Sequence, residues 1–255
     1  MKPGFVETRN VREFHSKLSE LQNRGAEEAC MMVVDGAPGL GKTTTMSRWV
    51  AQTGSVFVRA HVGWDYAFLI DSLLKEMGME PPRGKVRRYE LLTQALAERS
   101  LNAQLQNQIF GLVIDECDLV SSRREIMEAI RGLSDILTLP TILVGMGKLR
   151  ENLRRFPQIE SRAPRKVKFL PATFEDTRDL FKARCEVPVA DDLTDFIWRV
   201  SKGFNREILE GIAHVERLGQ RIDFGAEGIT LRDMSGQVVM VDRDSGNPIH
   251  APKVA

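Results

Sequence analysis

Residues Val33 to Thr45, VVDGAPGLGKTTT, constrain this chain more than any other stretch. An apolar, strand-forming run from Met31 to Val34 leads into a glycine-rich turn, and a helix-forming run from Lys42 to Ala51 leaves it. Gly36, Gly41, Lys42 and Thr43 stand at the spacing G-x-x-x-x-G-K-[ST]. Glycines there let successive backbone N–H groups turn toward phosphate oxygens with no Cβ in the way, and the following helix adds the positive end of its dipole. Gly36, Ala37, Pro38, Gly39, Leu40, Gly41, Lys42, Thr43 and Thr44 are therefore candidates to cradle a nucleoside triphosphate. Lys42 is expected on the β and γ phosphates, and the Thr43 hydroxyl on Mg²⁺.

A second strand-like run, Ile109 to Ile114, ends in Asp115-Glu116. Downstream of such a loop, the first carboxylate suits the Mg²⁺ shell and the second suits polarisation of an attacking water. Acidic residues after strands are common, so the pair gains its meaning from the strand, helix and strand that separate it from the loop. Further strands are expected over Ser55–Val62 and Thr141–Gly145. Helices are expected over Asn10–Asn23, from an Asp65 cap to Met77, over Tyr89–Leu101, and from a Ser122/Glu125 capping box to Leu137. Strands alternating with helices require a parallel sheet covered on both faces, so the fold class is α/β, a three-layer phosphate-loop sheet. After Pro171 the pattern turns helical, with a Thr173/Asp176 capping box and apolar faces at Leu193–Val200 and Ile208–Val215. The expected organisation is an N-terminal segment and helix (1–25), an ATPase core (26–171), a small all-helical lid (172–240) and a flexible tail (241–255).

Composition excludes several function classes. A formal net charge of +1 over 255 residues rules out binding a polyanion by bulk charge. Charge gathers instead in two places. Pro81, Pro82 and Gly84 break a stretch holding Arg83, Lys85, Arg87 and Arg88, which reads as a loop that is either electrostatic in purpose or a solvated turn. From Lys148 to Lys168 there are eight basic residues against two acidic ones, a local formal charge of +6. Cys30, Cys117 and Cys185 are odd in number and far apart, as buried reduced thiols are. His15, His61, His214 and His250 have neither ligand spacing nor a nucleophile partner. The absence of a long apolar run and of a signal-peptide core leads to the expectation of a cytoplasmic protein with no membrane partner.

The phosphate loop, the Asp-Glu strand end, the basic segment and the helical lid, in that order, resemble the AAA+ ATPases. Within them, FVET before the first helix, PPRGK, LVIDECD, LVGMGKLR and GFNR resemble the transposition ATPases that capture target DNA, those of phage Mu and of Tn-type regulators. The resemblance implies ATP and Mg²⁺ as ligands, an ATP-dependent oligomer or helical filament on double-stranded DNA, and a transposase as partner. It places an arginine finger at Arg162, a nucleotide-sensing lid arginine at Arg206, and DNA contacts at Arg83, Lys85, Arg87 and Arg88. Two features depart from that family. Met146 stands where a polar residue usually helps to orient water, which implies slow hydrolysis, and the sequence begins too late for an N-terminal helix-turn-helix domain. The alternatives are an initiator or helicase-loading ATPase and an ATP-gated interaction module without DNA.

Overall fold

A computed structural model describes residues 1–253. In chain order its elements are α1 (Arg9–Gln22), β1 (Met31–Asp35), α2 (Lys42–Thr53), β2 (Val56–Arg59), α3 (Tyr66–Glu76), α4 (Lys85–Leu105), β3 (Leu112–Asp115), α5 (Arg124–Leu137), β4 (Thr141–Gly145), α6 (Lys148–Leu153), α7 (Pro157–Glu160), β5 (Arg165–Lys168), α8 (Phe174–Arg184), α9 (Asp191–Val200), α10 (Asn205–Gly219), β6 (Val238–Val241) and β7 (Pro248–His250). The chain divides into two compact units. A sheet unit comprises Glu13–Ala37 and Lys42–Phe169, and a helical unit comprises Met1–Arg12, Pro38–Gly41 and Leu170–Ala255.

The sheet unit is built on five parallel strands in the order β2-β3-β4-β1-β5. β1, β3 and β4 are buried along their whole length. This is why they read as continuous apolar runs and not as alternating ones. Helix faces follow from spacing: Leu69, Ile70, Leu73 and Leu74 of α3 and Ile126, Ile130 and Leu133 of α5 are buried in one core with the strands. The register brings Asp35 opposite Gly145 and Arg59 opposite Asp115. Four strand ends thus deliver their last residues to one edge, where ligands bind in parallel sheets.

Several expectations change locally. α4 begins at Lys85, not Tyr89, so Lys85, Arg87 and Arg88 lie on a helix and not in a broken loop. Three cations in the first turn oppose the helix dipole, which is why the sequence hides this start. α5 begins at Arg124 with no side-chain cap, so the Ser122/Glu125 box does not form; a 3₁₀ turn at Cys117–Leu119 takes up the preceding chain. β5 is an additional edge strand inside the basic segment. The cysteines are buried thiols, and burial raises the pKa of each.

In the helical unit the Thr173/Asp176 capping box forms as expected, and α8, α9 and α10 share an apolar core. The segment expected to be a flexible tail instead contributes to that core. β6 and β7 pair as an antiparallel hairpin, so the expected lid is not all-helical; Val239 and Met240 at its end are buried, and so is Ala251 of the expected tail. The last two positions of the segment lie outside the described residues. The N-terminal ammonium binds Glu216 and Glu186 of the same unit, tying that terminus down.

Candidate nucleotide site

The phosphate loop leaves β1 at a buried aspartate. Asp35 pairs with Arg150 of α6 at 3.1 Å, and its Oδ1 is a buried oxygen with no hydrogen-bond partner. Gly36 follows with φ +154°, and a Cβ there would stand 2.6 Å from the Phe169 carbonyl oxygen, so only glycine fits. Lys42 opens α2, and its Nζ donates to the carbonyls of Gly36 at 2.7 Å and Ala37 at 2.9 Å. Burial lowers the pKa of this ammonium, while the carboxylates of Asp115, Asp35 and Asp118 pull it the other way. Thr44 is exposed on the first turn of α2.

Thr43 Oγ1 donates to Asp115 Oδ2 at 2.9 Å. Asp115 is buried and its Oδ1 accepts from the Glu116 N–H at 3.0 Å, so the carboxylate is fixed by its own chain. A hydroxyl beside a carboxylate is the donor set Mg²⁺ takes when it keeps most of its coordination for water and phosphate oxygens. The described residues hold no group of three His, Cys, Asp or Glu side chains that would bind a metal unaided. The Thr43 hydroxyl and the Asp115 carboxylate fit Mg²⁺ held jointly with a nucleotide.

Glu116 occupies a left-handed backbone position, φ 53° and ψ 32°, and its side chain is about half exposed. Its carboxylate lies 3.7 Å from Arg59 Nε, and Arg59 also reaches Asp115 at 3.6 Å. Sequence reasoning missed Arg59 at the end of β2. The signal was its register with Asp115, which requires knowing the strand order. It also missed Asp118, whose Oδ1 accepts from the Met146 N–H at 3.3 Å and would lie 2.9 Å from a Cβ on Gly145. The polar group at the end of β4 is thus supplied by the 3₁₀ turn, beside the exposed Met146 side chain.

Arg162 stands outside this cluster. Its Nε pairs with Asp135 of α5 at 3.2 Å, which also binds Arg131. Of the four basic residues in the 83–88 stretch, Arg83, Lys85 and Arg87 are exposed, whereas Arg88 bonds Asp71 at 3.1 Å and the Pro82 carbonyl at 2.8 Å. Arg88 thereby has a role inside the unit.

In the helical unit the loop tip meets the start of α10. The Arg206 N–H donates to the Gly39 carbonyl at 3.3 Å, and Asn205 Nδ2 to the Leu40 carbonyl at 3.3 Å. The Arg206 side chain is exposed.

A family profile described as "AAA domain" matches residues 25–153. No curated protein matches the chain. Among solved structures the chain is similar to the Orc1 protein of Aeropyrum pernix in complex with DNA, at 18% identity and a TM-score of 0.53, covering 86% of this chain and 62% of that one. It is similar to Cdc6p of Pyrobaculum aerophilum at 16% identity and a TM-score of 0.56, covering 87% and 64%. It is also similar to the Aeropyrum pernix ORC2 protein in ADPNP-ADP complexes, at 13% identity and a TM-score of 0.59, covering 86% and 65%. This chain thus spans less than two thirds of the length of each of those proteins, and at such identities the likeness is one of fold. By its matched profile, the sheet order and the phosphate-loop geometry, the chain belongs to the AAA+ family of P-loop ATPases.

Proposed function

We propose that this protein binds ATP and Mg²⁺ at the β1–α2 loop, hydrolyses the nucleotide, and uses the cycle to engage double-stranded DNA as an assembly of several copies. The observation that carries the reading is the Thr43–Asp115 pair at 2.9 Å, with Lys42 on the adjoining loop and Glu116 beside it. Bound Mg²⁺ would supply positive charge to the terminal phosphate oxygens. Lys42 binds and orients those phosphates, Thr43 and Asp115 hold the ion, and Glu116 accepts the proton of the attacking water. Asp118 holds the Met146 backbone at the edge where that water is oriented.

Contact with DNA is supported by α4. Its first turn carries Lys85 and Arg87 exposed, no acidic residue and no side-chain cap. Positive charge at the positive end of a helix dipole is unfavourable, and a phosphate backbone at that place offsets both. Arg162 is proposed to exchange Asp135 for the nucleotide of a neighbouring copy. Between the transposition setting and the initiator or helicase-loading one, the latter is better supported, because Orc1 and Cdc6 proteins are among the similar folds, the Orc1 protein in complex with DNA. Delivery of target DNA to a transposase rests on the FVET, PPRGK and LVGMGKLR segments and has no further support.

The test is anisotropy of labelled duplexes of several sequences, with Mg²⁺ and with or without a non-hydrolysable ATP analogue, from low to high salt. Binding is expected only with the analogue, similar on all sequences, and falling steeply with salt. Replacing Lys85 and Arg87 together by alanine should flatten the salt slope by about one to two units. Equal binding without nucleotide, or an unchanged slope in the double variant, contradicts the reading.

A further inference from the structure

Arg243 follows β6, in the hairpin that sequence alone reads as a tail, and both terminal nitrogens of its guanidinium are engaged with residues of the same unit. Nη2 donates to the Pro38 carbonyl at 3.0 Å. Nη1 lies 3.3 Å from Glu207 Oε1, and the guanidinium carbon sits 4.2 Å from the centre of the Phe204 ring. Glu207 is 9% exposed, and its other oxygen, Oε2, is buried with no hydrogen-bond partner. A Cβ on Gly39 would lie 3.3 Å from Arg243 Nη1 and 3.7 Å from Glu207 Oε2, so the arginine and the glutamate close on the tip of the phosphate loop. The hairpin that carries Arg243 is itself bolted down. Lys202 Nζ bonds Asp244 at 2.6 Å, and Asp242 caps the turn by accepting from the Ser245 N–H at 2.7 Å.

Together with Arg206 N–H on the Gly39 carbonyl and Asn205 on the Leu40 carbonyl, Arg243 completes a run of three consecutive loop carbonyls that are bonded from the helical unit. In a trans peptide the carbonyl of one residue and the N–H of the next point in opposite directions. Holding the Pro38 and Gly39 carbonyls therefore turns the Gly39 and Leu40 N–H groups to the other side of the loop, where a phosphate-binding loop presents its donors. We propose that Arg243 is a positioning residue for nucleotide phosphates, through which the C-terminal hairpin sets the donor geometry of the loop. The inference rests on the nucleotide-binding reading above and adds that occupancy of the loop and order in residues 238–250 are linked. Linkage is reciprocal, so nucleotide steadies the hairpin as the hairpin steadies the loop.

The test uses the full chain and Mg·ADP, followed by calorimetry, with amide hydrogen exchange at 238–250. Arg243→Ala should weaken ADP binding about ten-fold, in keeping with one charge-assisted contact, and raise the KM for ATP while leaving kcat within two-fold. Arg243→Lys keeps the charge against Glu207 but gives up the fork and the ring contact, and should lose about three-fold. ADP should slow exchange at 238–250 in the parent protein and not in Arg243→Ala. A parent protein that binds ADP, with both variants binding it equally well, overturns this proposal and leaves the nucleotide site standing. A parent protein that does not bind ADP overturns both. A lowered melting temperature with unchanged KM and ADP affinity assigns Arg243 a role in folding alone and likewise overturns the proposal.

Discussion

The sheet unit and the helical unit hold different parts of the phosphate loop by different means. In the sheet unit the partners are delivered by register: Thr43 meets Asp115, Arg59 lies opposite Asp115, and Asp118 anchors the backbone at the end of β4. In the helical unit the loop tip meets side chains 165 positions away at Asn205 and 205 positions away at Arg243. The first set presents hydroxyl, ammonium and carboxylate groups that can touch phosphate, metal or water. The second bonds backbone carbonyls and sets posture. Substitutions in the sheet unit should therefore abolish binding or turnover, and those in the helical unit should change affinity alone.

The largest effect is expected at Lys42. Lys42→Ala removes the ammonium proposed to contact two phosphates, each contact being worth about 1.5–3 kcal/mol, so nucleotide affinity should fall roughly a hundred-fold or more by calorimetry. Retained affinity would break the comparison at its strongest point. Glu116→Gln keeps the shape and the Thr43–Asp115 pair but cannot accept a proton. Turnover should fall roughly a hundred-fold or more while the ADP dissociation constant stays within about two-fold. A loss of affinity in step with turnover would move Glu116 from chemistry to binding.

Much of the sheet-unit site is legible in the sequence because its signals are local. The glycine spacing before Lys42, the apolar run before Asp115 and the Asp65 cap each lie within a few residues of what they determine, as does the Thr173 cap in the helical unit. What escapes is set by distance or by conflict with a local rule. The α4 start is hidden because Lys85, Arg87 and Arg88 oppose the dipole, and Ser122 loses its capping role to the 3₁₀ turn that Glu116 initiates in a left-handed conformation. The hairpin was marked only by the short run Val238–Val241, the turn-forming Asp-Ser-Gly-Asn and Ile249, a pattern that packing against Ile212 and its neighbours turns into structure. Nothing near Arg243 in sequence points to Pro38.

Asp118 gives an intermediate effect that sharpens the comparison. Asp118→Ala leaves the Met146 N–H without its acceptor and removes one of the carboxylates that favour the charged form of Lys42. Turnover should fall about ten-fold with ADP affinity nearly unchanged, as steady-state kinetics can show. If affinity falls and turnover does not, Asp118 acts on the ground state only. The smallest effect is expected at Asn205. Asn205→Ala removes one neutral hydrogen bond, at 3.3 Å, to the Leu40 carbonyl, so ADP affinity should fall two- to three-fold with kcat unchanged. A change in kcat at Asn205 would show that posture and chemistry are not separable between the two sets.

The most direct measurement of the central claim is phosphate release from Mg·ATP by the parent protein beside Glu116→Gln and Lys42→Ala, with duplex DNA present. The account predicts turnover by the parent, nucleotide-bound but stalled Glu116→Gln, and nucleotide-free Lys42→Ala. Equal phosphate release by the parent and Glu116→Gln, or no nucleotide binding by the parent, would contradict it.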